Sequence, residues 1–169
     1  MKEFIQVFLK PWGVLLLIVL LWVIHFFNVK YNLNLSQFGV YPRTVGGLFG
    51  VITAPMVHSA DGYNHILNNS IPLLIMGWAL FYFYRPIAIK IFILSWLVTG
   101  FFVWISARPS FHIGMSGVLY SLLFFIFFSG VFRSDSRLLT VALFVVFLYG
   151  SMVWGIFTYD WSISFESHF

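Results

Sequence analysis

Residues His112 to Val131 read H-I-G-M-S-G-V-L-Y-S-L-L-F-F-I-F-F-S-G-V. A short, glycine-flanked opening leads into a run with no charge, in which hydroxyls are the polar exceptions. Such a run can be satisfied in lipid, where a helix bonds all its own backbone groups. From Ser116 to Gly130 there are 15 residues, about 22 Å of helix at 1.5 Å per residue. A bilayer core measures about 30 Å. If the far end of this helix reaches one interface, Ser116 starts several ångströms below the other. A serine at membrane depth, at a helix N-terminus and between glycines, is the feature around which the rest of the chain arranges itself.

The whole chain has the same solvent preference. Its 169 residues are 61% hydrophobic and 8% charged, with mean hydropathy +0.96. A water-facing domain carries roughly 25% charged residues. The 22 Phe, 7 Trp and 8 Tyr suit lipid-facing surfaces and interfacial belts. No cysteine is present, which excludes a disulfide framework, thiolate metal sites and a cysteine nucleophile. The net charge of +4 is too small and scattered for nucleic-acid binding. Five segments are long and apolar enough to span: about 11–28, 65–84, 87–106, 116–131 and 138–158. The first follows a charged start and lacks a small-x-small cleavage site, so it is expected to be a retained signal-anchor.

An N-terminus in the cytoplasm places Lys2, Lys10, Arg85, Lys90, Arg133 and Arg137 on that side. It places Lys30, Arg43 and Arg108 on the other, in keeping with the positive-inside rule. The connection over about 29–64 then lies outside, and its apolar parts suit an element seated in the interface. No internal repeat and no linker appears, so residues 1–169 are expected to form one membrane domain.

Polar side chains inside lipid are costly and mark candidate functional positions. Here they gather in three places: His58, Asp61, Asn64, His65, Asn68 and Asn69; His112 and Ser116; and Asp160, Glu166 and His168. With the topology above, all three lie toward the extracytoplasmic side and can converge. His65 and Asn69, four apart, share a helical face. They suit either a pair of donors to an oxyanion or the hydrogen-bonded contacts that hold helices together in lipid. Asn68 lies about 100° away on the same helix and is expected to be structural. Gly114-Met115-Ser116-Gly117 fits a nucleophile whose negative charge is favoured by a helix N-terminus, and equally a packing motif. His168 fits a general base or a solvated terminal residue. No pair among the five histidines has metal or haem ligand spacing.

Taken in order, these pieces resemble the rhomboid family of intramembrane serine proteases, of bacterial type. The resemblance runs from about Phe38 to Phe169. It comprises Gly39-Val40-Tyr41-Pro42-Arg43, similar to the family's G-x-x-P-R element, and His65-Ile66-Leu67-Asn68-Asn69, similar to its H-x-x-x-N. It continues with Gly114-Met115-Ser116-Gly117, then Tyr149-Gly150, Trp154-Gly155 and Ser164 to His168. It implies an all-α, polytopic membrane helical bundle. Ser116 would be the nucleophile and His168 the general base. His65, Asn69 and the Ser116 backbone N–H would supply the oxyanion hole. Tyr149 would stack beside His168, while His58 and Gly114 would shape the site. No cofactor is implied, and no metal. The partners would be the lipid bilayer and a transmembrane protein substrate, cut near the outer interface of a bacterial cytoplasmic membrane.

The sequence departs from the family at its end. The family's histidine opens a sixth helix, and here Phe169 follows His168 and closes the sequence. The expectation is therefore five spans with the sixth missing, and a chain weakly active or inactive by itself. Two further classes stay open: a rhomboid-like protein that binds transmembrane clients without cutting them, and a small transporter or cofactor-binding membrane protein. The almost wholly apolar cytoplasmic halves of the spans disfavour the last.

Overall fold

The structure, a computed structural model, describes residues 12–148. Its six α-helices are α1 (Trp12–Tyr31), α2 (Val45–Thr53), α3 (Asn64–Phe83), α4 (Ala88–Ser106), α5 (Ser116–Arg133) and α6 (Ser136–Leu148). Short 3₁₀ turns at Leu35–Phe38 and Ala54–Met56 flank α2. Four helices, α1, α3, α4 and α5, are long and apolar enough to cross a membrane. The chain is thus a polytopic, all-helical membrane bundle. Of the expected span 138–158, the first part is α6; its remainder lies outside the described residues, as does everything expected of Tyr149, Asp160, Glu166 and His168.

The serine helix is longer than the glycine at 130 suggests. It runs 18 residues to Arg133, about 27 Å, so the depth inferred for Ser116 from a 22 Å helix shrinks. Gly130 does not end the helix; it lets α6 approach. A Cβ there would stand 3.0 Å from Leu138 Cβ. The stop is Ser134, left-handed at φ 52, with its N–H on the Gly130 carbonyl.

In lipid, helices associate through close packing and interhelical hydrogen bonds rather than through expulsion of water. On α1 the buried residues Val14, Leu21, His25 and Asn28 form one stripe, and this stripe faces α3. Trp22 Nε1 donates to Ser70 Oγ at 3.0 Å. The core continues through Leu73, Met76 and Leu80 of α3 to Leu119, Leu122 and Ile126 of α5 and Leu138 of α6. Helix α5 therefore sits between α3, α4 and α6.

The first loop folds into a brace on α4. Helix α2 has 9 residues, about 14 Å, too short to span. Thr44 Oγ1 caps it by accepting from Gly47 N at 3.1 Å. Its inner side carries Gly50, where a Cβ would lie 2.3 Å from the Gly39 carbonyl oxygen. Its outer side presents Val45 and Phe49, 81% and 74% exposed, as an element seated in the interface would. Arg43, at φ 57, sends Nη1 to the carbonyls of Ile105 at 3.1 Å and Ala107 at 2.8 Å. A cation there satisfies the last carbonyls of α4 and opposes its dipole. Arg43→Ala is expected to cost about 1–2 kcal/mol, the scale of charge-assisted hydrogen bonds discounted for exposure. A thermal midpoint in detergent unchanged from the parent would contradict this.

Candidate active site

Three backbone hydrogen bonds fix the segment that leads into Ser116. Val40 and His112 form an isolated antiparallel bridge, each N–H donating to the other's carbonyl at 2.9 Å. Gly114 N donates to Ala54 O, also at 2.9 Å. The first loop thereby holds the α4–α5 connection in place. His112, counted with Ser116 from sequence, is buried, and its Nε2 lies 2.9 Å from Arg108 O and 3.2 Å from Ser110 Oγ. Its ring is part of this loop's own bonding.

Beyond His112 the chain turns at Gly114, whose φ is +104, a value that side-chain-bearing residues rarely adopt. A Cβ at Gly114 would lie 2.7 Å from His65 Nε2 and 2.9 Å from its Cε1. The His65 ring edge thus rests against the backbone two residues before Ser116. Ser116 is the first residue of α5 and is half-buried. The structure therefore brings His65, Gly114 and the start of α5 into one place.

His65 sits in the first turn of α3. Its Nδ1 accepts a long hydrogen bond, 3.4 Å, from the Ser59 backbone N–H. A neutral ring accepting at Nδ1 carries its proton on Nε2, the edge turned toward Gly114. Asn69, one turn on, is buried, and its Nδ2 donates to the His65 carbonyl at 2.8 Å. Asn68 is exposed, in keeping with its place on another face. His58 packs its ring edge-to-face with His65, centroids 5.0 Å apart. Among the described residues no cluster of histidine and carboxylate side chains has the geometry to hold a metal ion.

Burial, then the neighbouring His65 and His25, push the His58 imidazole down to about 3 from the usual 6.5. The unfolded chain therefore takes up a proton at position 58 below pH 6.5 that the folded chain refuses until about pH 3. Acidification across that window favours unfolding, by at most about 1.4 kcal/mol per pH unit. His58→Phe is expected to flatten the acid limb of the stability profile between pH 6 and 4. An unaltered limb would show that another group carries it.

Sequence reasoning passed over α1. His25 and Asn28 are each 1% exposed and belong to the same polar neighbourhood. The His25 ring meets Tyr63 edge-on at 5.4 Å, and Tyr63 stacks with Trp22 at 6.2 Å. Asn28 accepts from Leu35 N at 3.1 Å and donates to the His58 carbonyl at 3.4 Å. Helix α1 thus grips both sides of the turn that presents His65. The available signal was two polar residues in an otherwise apolar span, which lipid penalises. Asn28→Ala strands the Leu35 N–H and is expected to cost about 1–3 kcal/mol; a thermal midpoint equal to the parent's would refute this.

Comparison with known proteins bears on the same residues. The Rhomboid domain family model matches residues 45–169, which includes α2, the His65 turn and the serine helix. The chain belongs to the rhomboid family. Uncharacterized proteins of Mycobacterium bovis and Mycobacterium tuberculosis are each 28% identical to it over 148 residues, covering 84% of this chain and 61% of the relative. An uncharacterized protein of Mycobacterium leprae is 25% identical over 149 residues, covering 85% and 58%. The rhomboid chain thus spans about three-fifths of the length of these curated relatives. No solved structure matches it. Family and apolar helices together make it an integral membrane protein.

Proposed function

We propose that this rhomboid-family chain forms the catalytic part of an intramembrane serine endopeptidase. The observation that carries the proposal is the contact of the His65 Nε2 edge with Gly114, beside the N-terminus of α5 that begins with Ser116. An oxyanion needs donors at the point where charge develops, held there in advance. His65 Nε2–H, the Ser116 backbone N–H and the Asn69 amide are assigned that task. Asn69 is held by its bond to the His65 carbonyl and keeps a second amide hydrogen.

Ser116 Oγ attacks the scissile carbonyl while His168 takes its proton. The tetrahedral oxyanion collapses, the C–N bond breaks, and His168 returns the proton to the leaving amine. Water then attacks the acyl-enzyme with His168 again as base, the ester bond to Ser116 breaks, and His168 returns the proton to Ser116 Oγ as the carboxyl product leaves. Tyr149 is assigned to hold the His168 ring; both lie outside the described residues. His58 and Gly114 shape the oxyanion side. A cavity of about 30 Å³, lined mainly by apolar side chains, lies beside Gly114 and Gly117.

The substrate is a transmembrane helix of another protein, opened near the interface by helix-destabilising residues. The domain comprises residues 1–169, with the N-terminus in the cytoplasm of a bacterial inner membrane and the site on the extracytoplasmic side. The reaction requires no metal or nucleotide. The test is reconstitution with two membrane-spanning reporters, one with glycine and proline near its outer end and one with unbroken leucine. Cleavage of the first alone, at a site fixed by mass spectrometry, is the expected result. Binding of both without cleavage would instead establish a client-binding protein.

A further inference from the structure

The peptide group that supports His65 is held from its other edge as well. The His58 carbonyl and the Ser59 N–H belong to one amide, which is planar and trans, so the two point in opposite directions. On one side the Ser59 N–H donates to His65 Nδ1 at 3.4 Å. On the other, Asn28 Nδ2 donates to the His58 carbonyl, also at 3.4 Å. Both bonds are long, and each steadies the plane on which the other depends.

Asn28 is itself oriented. Its Oδ1 accepts from the Leu35 backbone N–H at 3.1 Å. A backbone N–H can only donate, so the oxygen of the Asn28 amide must face Leu35 and its nitrogen must face His58. The residue is 1% exposed, which keeps bulk water from competing for either group. An unbroken line of donors and acceptors thus runs from the Leu35 N–H through Asn28 and the His58–Ser59 peptide to His65. Every bond in it points the same way, and bonds so aligned polarise one another.

The surroundings keep the ring from turning over. Ser59 is fixed in a local turn, its Oγ accepting the Asp61 N–H at 3.2 Å and donating to Asp61 Oδ2 at 2.7 Å. The His58 ring stands edge-to-face with that of His65, centroids 5.0 Å apart. The Gly114 backbone meets the Nε2 edge.

We propose that Asn28 is a positioning residue for the candidate active site: acting through the His58–Ser59 peptide, it holds the neutral His65 ring in the tautomer that carries its proton on Nε2, against Gly114. The other tautomer would set Nδ1–H against the Ser59 N–H, two donors face to face. Because the line starts at a backbone N–H, it delivers a donor and never an acceptor at the Gly114 edge. The kinetic consequence rests on the reading of His65 as an oxyanion donor; the tautomer does not.

Nitrogen NMR of the detergent-purified chain with isotope-labelled histidine tests the assignment, the His65 signals being identified by their loss in His65→Gln. The parent is expected to show one neutral tautomer at His65, protonated on Nε2. Asn28→Ala and Asn28→Leu should each show both tautomers. Leucine is close to asparagine in volume and suited to lipid, so it reports even if the alanine variant fails to fold. Ser70→Ala, which removes the Trp22 bond from the same α1–α3 contact, should keep the parental signal. In reporter cleavage Asn28→Leu should lower kcat about tenfold at unchanged KM, short of the factor of about 10²–10³ lost with an oxyanion donor itself. A parent protonated on Nδ1 of His65, or a single Nε2 tautomer in folded Asn28→Leu, overturns the proposal. So does a change in Ser70→Ala equal to that in Asn28→Leu, which would show loosened packing alone, or a kcat in Asn28→Leu equal to that of a cleaving parent. Tautomers as expected in a parent that cuts nothing would uphold Asn28 as the residue that sets His65 and remove the peptidase reading instead.

Discussion

Ser116→Ala is expected to abolish fluorophosphonate labelling and reporter cleavage together, with the thermal midpoint nearly unchanged. The phosphorus probe needs a hydroxyl made nucleophilic by a base and an acceptor site for developing negative charge, the same two provisions that peptide hydrolysis needs. Ser116 is the residue proposed for both. It opens α5, where N–H groups without intrahelical partners and the positive dipole end favour an anion. It also follows the Gly114 turn on which His65 rests. Removing one oxygen from a half-buried position leaves the packing of α5 intact, so stability should move by less than about 1 kcal/mol. Equal labelling of the parent and the variant would end the assignment of Ser116. Labelling lost together with a collapsed midpoint would point to a packing serine.

Gly114→Ala is expected to lower turnover by about 10²–10³, the loss that follows removal of one oxyanion donor. Two effects act in one direction. An L-residue at φ +104 costs about 1–2 kcal/mol of backbone strain. The new Cβ would press to 2.7 Å from His65 Nε2, and the ring has little room to retreat. Ser59 N holds its Nδ1, and His58 stands edge-on at 5.0 Å. Gly46→Ala is the control, since a Cβ there meets nothing within 4 Å. Parental turnover in Gly114→Ala would show that the His65 edge does not serve the reaction.

Much of this geometry was legible in the residues. The spans α1, α3, α4 and α5 fall within a few residues of the stretches chosen by hydropathy, because lipid admits only segments that satisfy their own backbone. The spacing of His65 and Asn69 placed both on α3, and Ser116 was expected at a helix start. Other features were hidden. Gly130 looked like a helix end and is a helix contact, a distinction that depends on Leu138 lying opposite. In α1, nearly every position is apolar, so the pattern does not disclose which face is inward; His25 and Asn28 acquire meaning only beside Tyr63 and His58.

The amino-acid sequence by itself determined the solvent of this protein, the number and order of the described spans, and the position of a glycine-flanked serine at a helix start. Those properties follow from local composition, since each segment partitions into lipid on its own residues. Tertiary structure alone decided that Gly114 takes a left-handed turn against His65, that Val40 pairs with His112, and that Arg43 closes α4. Each of these joins residues far apart in the chain. Their energies exist only once α1, α3, α4 and α5 have packed and placed one partner within hydrogen-bond or van der Waals reach of the other.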